Sequence, residues 1–79
     1  ERVGGWCLKL PAIHNAGLPD RLCLFPGGEV VFVELKAFGK KPRKIQILMH
    51  QKLKALGFRV EVIDTTMGCK MLALEYDRK

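Results

Sequence analysis

A turn signal, Pro26-Gly27-Gly28, separates two runs rich in apolar, β-branched and aromatic residues, Arg21 to Phe25 and Val30 to Leu35. A chain with that pattern folds back on itself as an antiparallel hairpin. If those three residues form the loop, Phe25 opposes Glu29, and counting outward brings Asp20 directly across from Glu34. Side chains so opposed have Cβ atoms about 4.5–5.5 Å apart, and the strand period of two sets Lys36 on the face that carries Glu34. A loop one residue shorter or longer shifts the pairing, and a one-residue slip sets Asp20 against Leu35 instead.

Opposed carboxylates repel, so a sequence that specifies them needs something to compensate. A divalent cation does so: Mg²⁺ is typically held by one or two protein carboxylates, with waters and substrate phosphates completing its shell. An ion between Asp20 and Glu34 could contact a scissile phosphate, lower the pKa of bound water and offset charge in the transition state. Lys36, beside it, could orient that water or stabilise the added negative charge. A surface carboxylate pair with one ion-pairing lysine is the plainer reading of the same three residues.

The chain has 79 residues, which predicts one domain spanning 1–79 and a core worth only a few kcal/mol net. Oligomerisation is a natural expectation at that size. No apolar run approaches the roughly 20 residues of a membrane span. The chain opens on Glu1, not Met, so a preceding segment is expected. Cys7, Cys23 and Cys69 have no CxxC spacing and no nearby histidine pair, so they read as buried thiols in a reducing cytoplasm, not as a zinc site or a disulfide framework. The net charge is +6. From Lys36 through Arg59 there are Lys36, Lys40, Lys41, Arg43, Lys44, Lys52, Lys54 and Arg59, with no acidic residue among them. Solvated helix faces usually mix both signs, so a one-sided tract next to a carboxylate pair points to a polyanionic substrate. Lys40, Lys41, Arg43 and Lys44 lie where a duplex backbone could pass.

Along the chain, Trp6 to Leu10 reads as a first strand ended by Pro11, and the segment from Pro11 to Pro19 as a loop. Pro19 biases Leu18 to an extended conformation that delivers Asp20 at the mouth of the second strand. Both hairpin faces are apolar beyond the site, which predicts a central strand pair covered on both sides. Pro42 suits the first turn of a helix. Ile45, Leu48, Met49, Leu53 and Leu56 follow as its apolar stripe, and Gly57 ends it. Gln46 and His50, four apart, lie together beside the stripe. Phe58 to Ile63 alternates as another strand, making a strand-helix-strand crossover that predicts a parallel pair. Asp64-Thr65-Thr66 could cap a last helix from Met67 to Tyr76. The fold class is therefore α/β, with a central mixed sheet, antiparallel hairpin plus parallel crossover, flanked by helices.

Asp20 after Pro19, followed by the hairpin and Glu34-Leu35-Lys36, resembles the signature of the PD-(D/E)xK, restriction endonuclease-like superfamily. The fuller run Gly17-Leu18-Pro19-Asp20-Arg21-Leu22, then Val31-Phe32-Val33-Glu34-Leu35-Lys36, then Gln46 and Leu56-Gly57, is similar to its VRR-NUC family, over nearly the whole chain from Gly4-Gly5 to about Ile63. The resemblance implies Mg²⁺- or Mn²⁺-dependent cleavage of DNA by a small phage or bacterial protein in the cytoplasm. Stand-alone members act as homodimers on branched DNA such as Holliday junctions, with roles in DNA repair and recombination. It implies that Asp20, Glu34 and the Leu35 carbonyl are metal ligands, Lys36 the catalytic lysine and Gln46 an active-site glutamine. Lys9 matches a lysine of the first strand that meets nucleic acid. It also implies a helix, bearing another acidic residue, ahead of the glycine pair.

Other residues have plainer readings. His14, just before Pro19-Asp20, could touch phosphate or product but reads as solvent-exposed; His50 reads as a partial-core histidine, and Trp6 as a packing residue. Two other functions stay open: a non-catalytic nucleic-acid-binding module on a nuclease fold, which would have lost a signature residue, and a nuclease for RNA or for DNA without branch selectivity.

Overall fold

The computed structural model of the chain describes residues 5–11 and 17–77. Its elements run β1 (Trp6–Lys9), β2 (Arg21–Phe25), β3 (Glu29–Leu35), α1 (Lys44–Ala55), β4 (Arg59–Ile63) and α2 (Thr66–Asp77). The four strands form one sheet in chain order. β1, β2 and β3 are antiparallel neighbours, and β3 and β4 are parallel. The mixed sheet is therefore the expected one, with the β2–β3 hairpin at its centre.

Phe25 pairs with Glu29 and Arg21 with Val33, so residues 26–28 are the loop and the hairpin has the expected register. Asp20 stands one step beyond the last pair, level with Glu34. Alternation then divides the sheet. Cys23, Phe25, Val31, Val33 and Ile63 form the buried cluster with Leu72, which places α2 on that face. Glu34 points to the opposite face, where α1 lies.

Two close approaches position the lead-in to Asp20. Gly17 has a φ of 97°, in the left-handed region, and a Cβ there would come 2.6 Å from the Ile45 carbonyl oxygen in the first turn of α1. Only glycine fits that crossing. On the far side, Leu10 N–H donates to the Asp20 carbonyl at 2.7 Å, extending the β1–β2 pairing to the site's edge. At the other end of the hairpin's partner, Thr65 Oγ1 accepts the Gly68 N–H at 2.9 Å and caps α2.

The structure corrects three expectations. Helix α1 begins at Lys44, with Arg43 as its N-cap, so Pro42 precedes the first turn and does not lie within it. The apolar stripe of α1 is not its inner face: Ile45, Leu48 and Leu56 are 46%, 58% and 70% exposed, while Gln46 and His50 are buried. Only Met49 and Leu53 of the stripe are half-buried. The reason lies beneath the helix, where Glu34 is buried. A carboxylate there without partners costs several kcal/mol, more than the about 1.5–3 kcal/mol available from burying any one of those side chains. The third correction concerns the cysteines. Cys7 and Cys23 are cross-strand partners with Cα atoms 4.0 Å apart and are joined as a disulfide, and Cys69 is exposed, so only Cys23 occupies the core. Linear spacing hid this, because the pairing arises from the register of two strands. Trp6, read as packing in the core or in a dimer, is 59% exposed and so lies outside the core of this chain. His14 lies outside the described residues.

Candidate active site

Strand β3 positions the centre of the site. Its alternation sends Val31 and Val33 into the core under α2 and turns Glu34 to the other face, where only 2% of its surface is accessible. A carboxylate so deeply buried must be paired or hydrogen-bonded, and three side chains converge on it. Gln46 Nε2 donates to Glu34 Oε2 at 2.9 Å, the Lys36 ammonium lies 3.3 Å from the same oxygen, and His50 Nε2 stands 3.9 Å from Oε1. Lys36 is held at this spot by its own backbone, whose N–H donates to the Ile63 carbonyl of β4 at 3.0 Å. The parallel crossover thus orders the residue just past the end of β3.

Gln46 is fixed at both ends of its amide. Its Oε1 accepts the Arg43 backbone N–H at 2.7 Å, the reciprocal half of a capping box at the third helical position. The same side chain that terminates the helix backbone therefore aims its N–H₂ at Glu34. Four residues on, His50 occupies the same helix face. Burial holds the His50 imidazole below the usual histidine range, with the Lys54 and Lys36 charges acting in the same direction and the Glu34 carboxylate opposing them. Sequence reading placed His50 beside Gln46 but assigned it no task; the four-residue spacing from Gln46 was the available signal.

Asp20 reaches the site by a different route. Its Oδ2 accepts the Leu35 backbone N–H at 2.8 Å, which ties the start of β2 to the end of β3 and leaves Oδ1 for other partners. The Leu35 side chain itself is 40% exposed. Lys9, Leu10, Pro11, Asp20, Arg21 and Leu35 line one open cleft, so Lys9 and Asp20 border the same space. Arg21, read from sequence only as a strand residue, joins them there. Lys40, Lys41, Arg43 and Lys44 are all exposed on the β3–α1 loop and the start of α1.

Asp20 and Glu34 are the groups that could hold a metal ion. Among the described residues no cluster of three or more His, Cys, Asp or Glu side chains is preformed, which does not suit a closed protein cage. Two carboxylates do suit Mg²⁺, which keeps waters and takes substrate oxygens. Glu34 also has capacity to spare: Oε1 is buried without a hydrogen-bond partner, and a carboxylate offers about four lone-pair sites.

Comparison with known proteins agrees with this architecture. No family model matches the chain. A curated phage protein, "Putative nuclease p44" of Acyrthosiphon pisum secondary endosymbiont phage 1, is 42% identical over 65 residues, covering 82% of this chain and 70% of the relative. A solved structure described as a VRR-NUC domain superposes with a TM-score of 0.83 at 30% identity, covering 95% of this chain and 82% of the other. The four-stranded mixed sheet and its two helices are those of the VRR-NUC fold. The chain belongs to the VRR-NUC family of nucleases.

Proposed function

We propose that this nuclease is a metal-dependent endonuclease that hydrolyses phosphodiester bonds in DNA, with branched DNA such as a four-way junction as its preferred substrate, and that it works as a homodimer in the cytoplasm of a bacterial or phage-infected cell. The observation that best supports the chemistry is the buried Glu34 carboxylate, engaged by Gln46 and Lys36 on one oxygen and unpartnered on the other. Asp20, Glu34 and the Leu35 carbonyl would hold Mg²⁺ or Mn²⁺. Such an ion, when bound, lowers the pKa of water and offsets charge building on the phosphate.

The chain's own residues do the rest. Asp20 keeps the ends of β2 and β3 in register through the Leu35 amide, so that both carboxylates are presented together. Gln46 prevents Glu34 from swinging away. Lys36 balances the Glu34 charge from 3.3 Å and would orient the attacking water or stabilise negative charge on a phosphate oxygen. Lys9 and Arg21 line the cleft beside Asp20, and Lys40, Lys41, Arg43 and Lys44 offer exposed positive charge to the backbone. Such contacts position nucleic acid without reading its sequence. Branch selectivity and dimerisation are supported by the family and by the small size of the chain.

One assay tests the proposal: parent, Asp20→Ala and Lys36→Ala are incubated with duplex, flap and four-way junction DNA in the presence of Mg²⁺ or of chelator. Parent should nick the junction in Mg²⁺ only, and both variants should bind it without cutting. Equal cleavage by parent and variants would overturn the catalytic assignment. Equal cutting of all three substrates would overturn the branch preference alone.

A further inference from the structure

Among the described residues the buried polar or charged side chains are Glu34, Gln46 and His50, and the chemistry above leaves His50 without a task. Its position is nevertheless matched to that of Gln46. The two lie four residues apart on α1, and each opposes one oxygen of the same carboxylate. Gln46 Nε2 reaches Oε2 at 2.9 Å, and His50 Nε2 faces Oε1 at 3.9 Å. Both atoms of the second pair are shielded from solvent and lack a hydrogen-bond partner. A buried polar atom left unsatisfied costs about 1–3 kcal/mol. Here two such atoms face each other, about 1 Å beyond the length at which each would satisfy the other. Bonds of this kind are often long in an unloaded site and close when it is filled.

A neutral imidazole has one N–H, on Nδ1 or on Nε2. We propose that His50 is a positioning residue: as the Nε2–H tautomer it donates to Glu34 Oε1 and, with Gln46 on Oε2, holds the carboxylate plane in the orientation that receives a divalent cation. Three donors, Lys36, Gln46 and His50, then engage three of about four lone-pair sites and leave one for the ion. This rests on the metal-binding reading of Glu34 given above. Partners of this outer kind set the orientation of a ligand, and their loss typically weakens metal affinity 10–100-fold.

Two measurements test the idea. In ¹⁵N-labelled, metal-free protein, long-range ¹H–¹⁵N spectra should show His50 as the Nε2–H tautomer, with that proton's resonance displaced in Glu34→Gln. Mn²⁺ affinity is then measured calorimetrically for parent, Glu34→Gln, His50→Leu and His50→Gln, with thermal melts to show that each is folded. Leucine keeps the bulk without a donor, whereas glutamine carries an amide N–H₂. His50→Leu should bind Mn²⁺ about tenfold more weakly or worse, and His50→Gln should recover most of the loss. An Nδ1–H tautomer, a His50→Leu variant that binds as parent does, or leucine and glutamine variants equally weak would each overturn the role of His50. Mn²⁺ binding by the parent that does not depend on Glu34 would overturn the metal reading as well, and the tautomer, read without metal, separates the two failures.

Discussion

At the scale of single residues, one glutamine joins the local structure of a helix to the chemistry of a site. Gln46 accepts from the Arg43 amide and donates to Glu34, so Gln46→Ala removes a cap and a charge-assisted bond together. We expect a loss of about 1.5–3 kcal/mol in urea unfolding, along with weaker activity. A loss below about 0.5 kcal/mol would mean that the bond to Glu34 adds nothing. Asp20, Glu34 and Lys36 were legible in the sequence because strand registration is arithmetic once the loop length is known, and Phe25 does pair with Glu29. The partnership of His50 was not legible. It depends on which way a helix is rotated about its axis, and the apolar stripe indicated a different rotation.

Among the elements, α1 shows why that indication failed. Periodicity reports where apolar residues lie on a helix; it does not report what the opposing surface demands. The sheet presents a carboxylate to α1, so the helix turns its polar side chains inward and leaves Ile45, Leu48 and Leu56 exposed. The crossing at Gly17 is equally specific. Gly17→Ala should cost about 1–2 kcal/mol from the left-handed backbone alone, and more because its Cβ would meet the Ile45 carbonyl at 2.6 Å, whereas Gly27→Ala, at a φ of 87° in open space, should show only the backbone part. Urea midpoints for the two variants give the difference, and equal losses would refute the close approach. The bond between Cys7 and Cys23 closes a loop with a sequence separation of 16. Reductant should therefore lower the stability of the parent by up to about 3 kcal/mol and leave Cys7→Ser unaffected. A parent indifferent to reductant would show the pair to be thiols.

For the molecule as a whole, charge and fold are separable. Lys40, Lys41 and Lys44 are exposed and outside the core, so replacing them with alanine should leave the melting temperature nearly unchanged while weakening DNA binding. The slope of log K against log salt should flatten by about 0.9 for each phosphate that the variant no longer neutralises. An unchanged slope would place the basic tract away from the binding face. Mixed topology was readable because the hairpin and the strand-helix-strand unit have distinct signatures, at the turn residues 26–28 and in the apolar alternation through Val60 and Val62. The disulfide was not, because it belongs to a pairing between strand positions 16 residues apart in sequence.

Catalytic groups commonly sit on a scaffold that would fold better without them. Here Glu34 and Gln46 are the polar seam by which α1 docks on the sheet, so the site and the fastening of the crossover helix are one structure. Under the proposed chemistry, an inactive form for trapping bound DNA is therefore better made at Lys36, whose side chain keeps some exposure to solvent, than at Glu34. A Glu34 knockout would confound loss of chemistry with loss of the helix, and any reading of its inactivity as catalytic needs the folded fraction measured alongside.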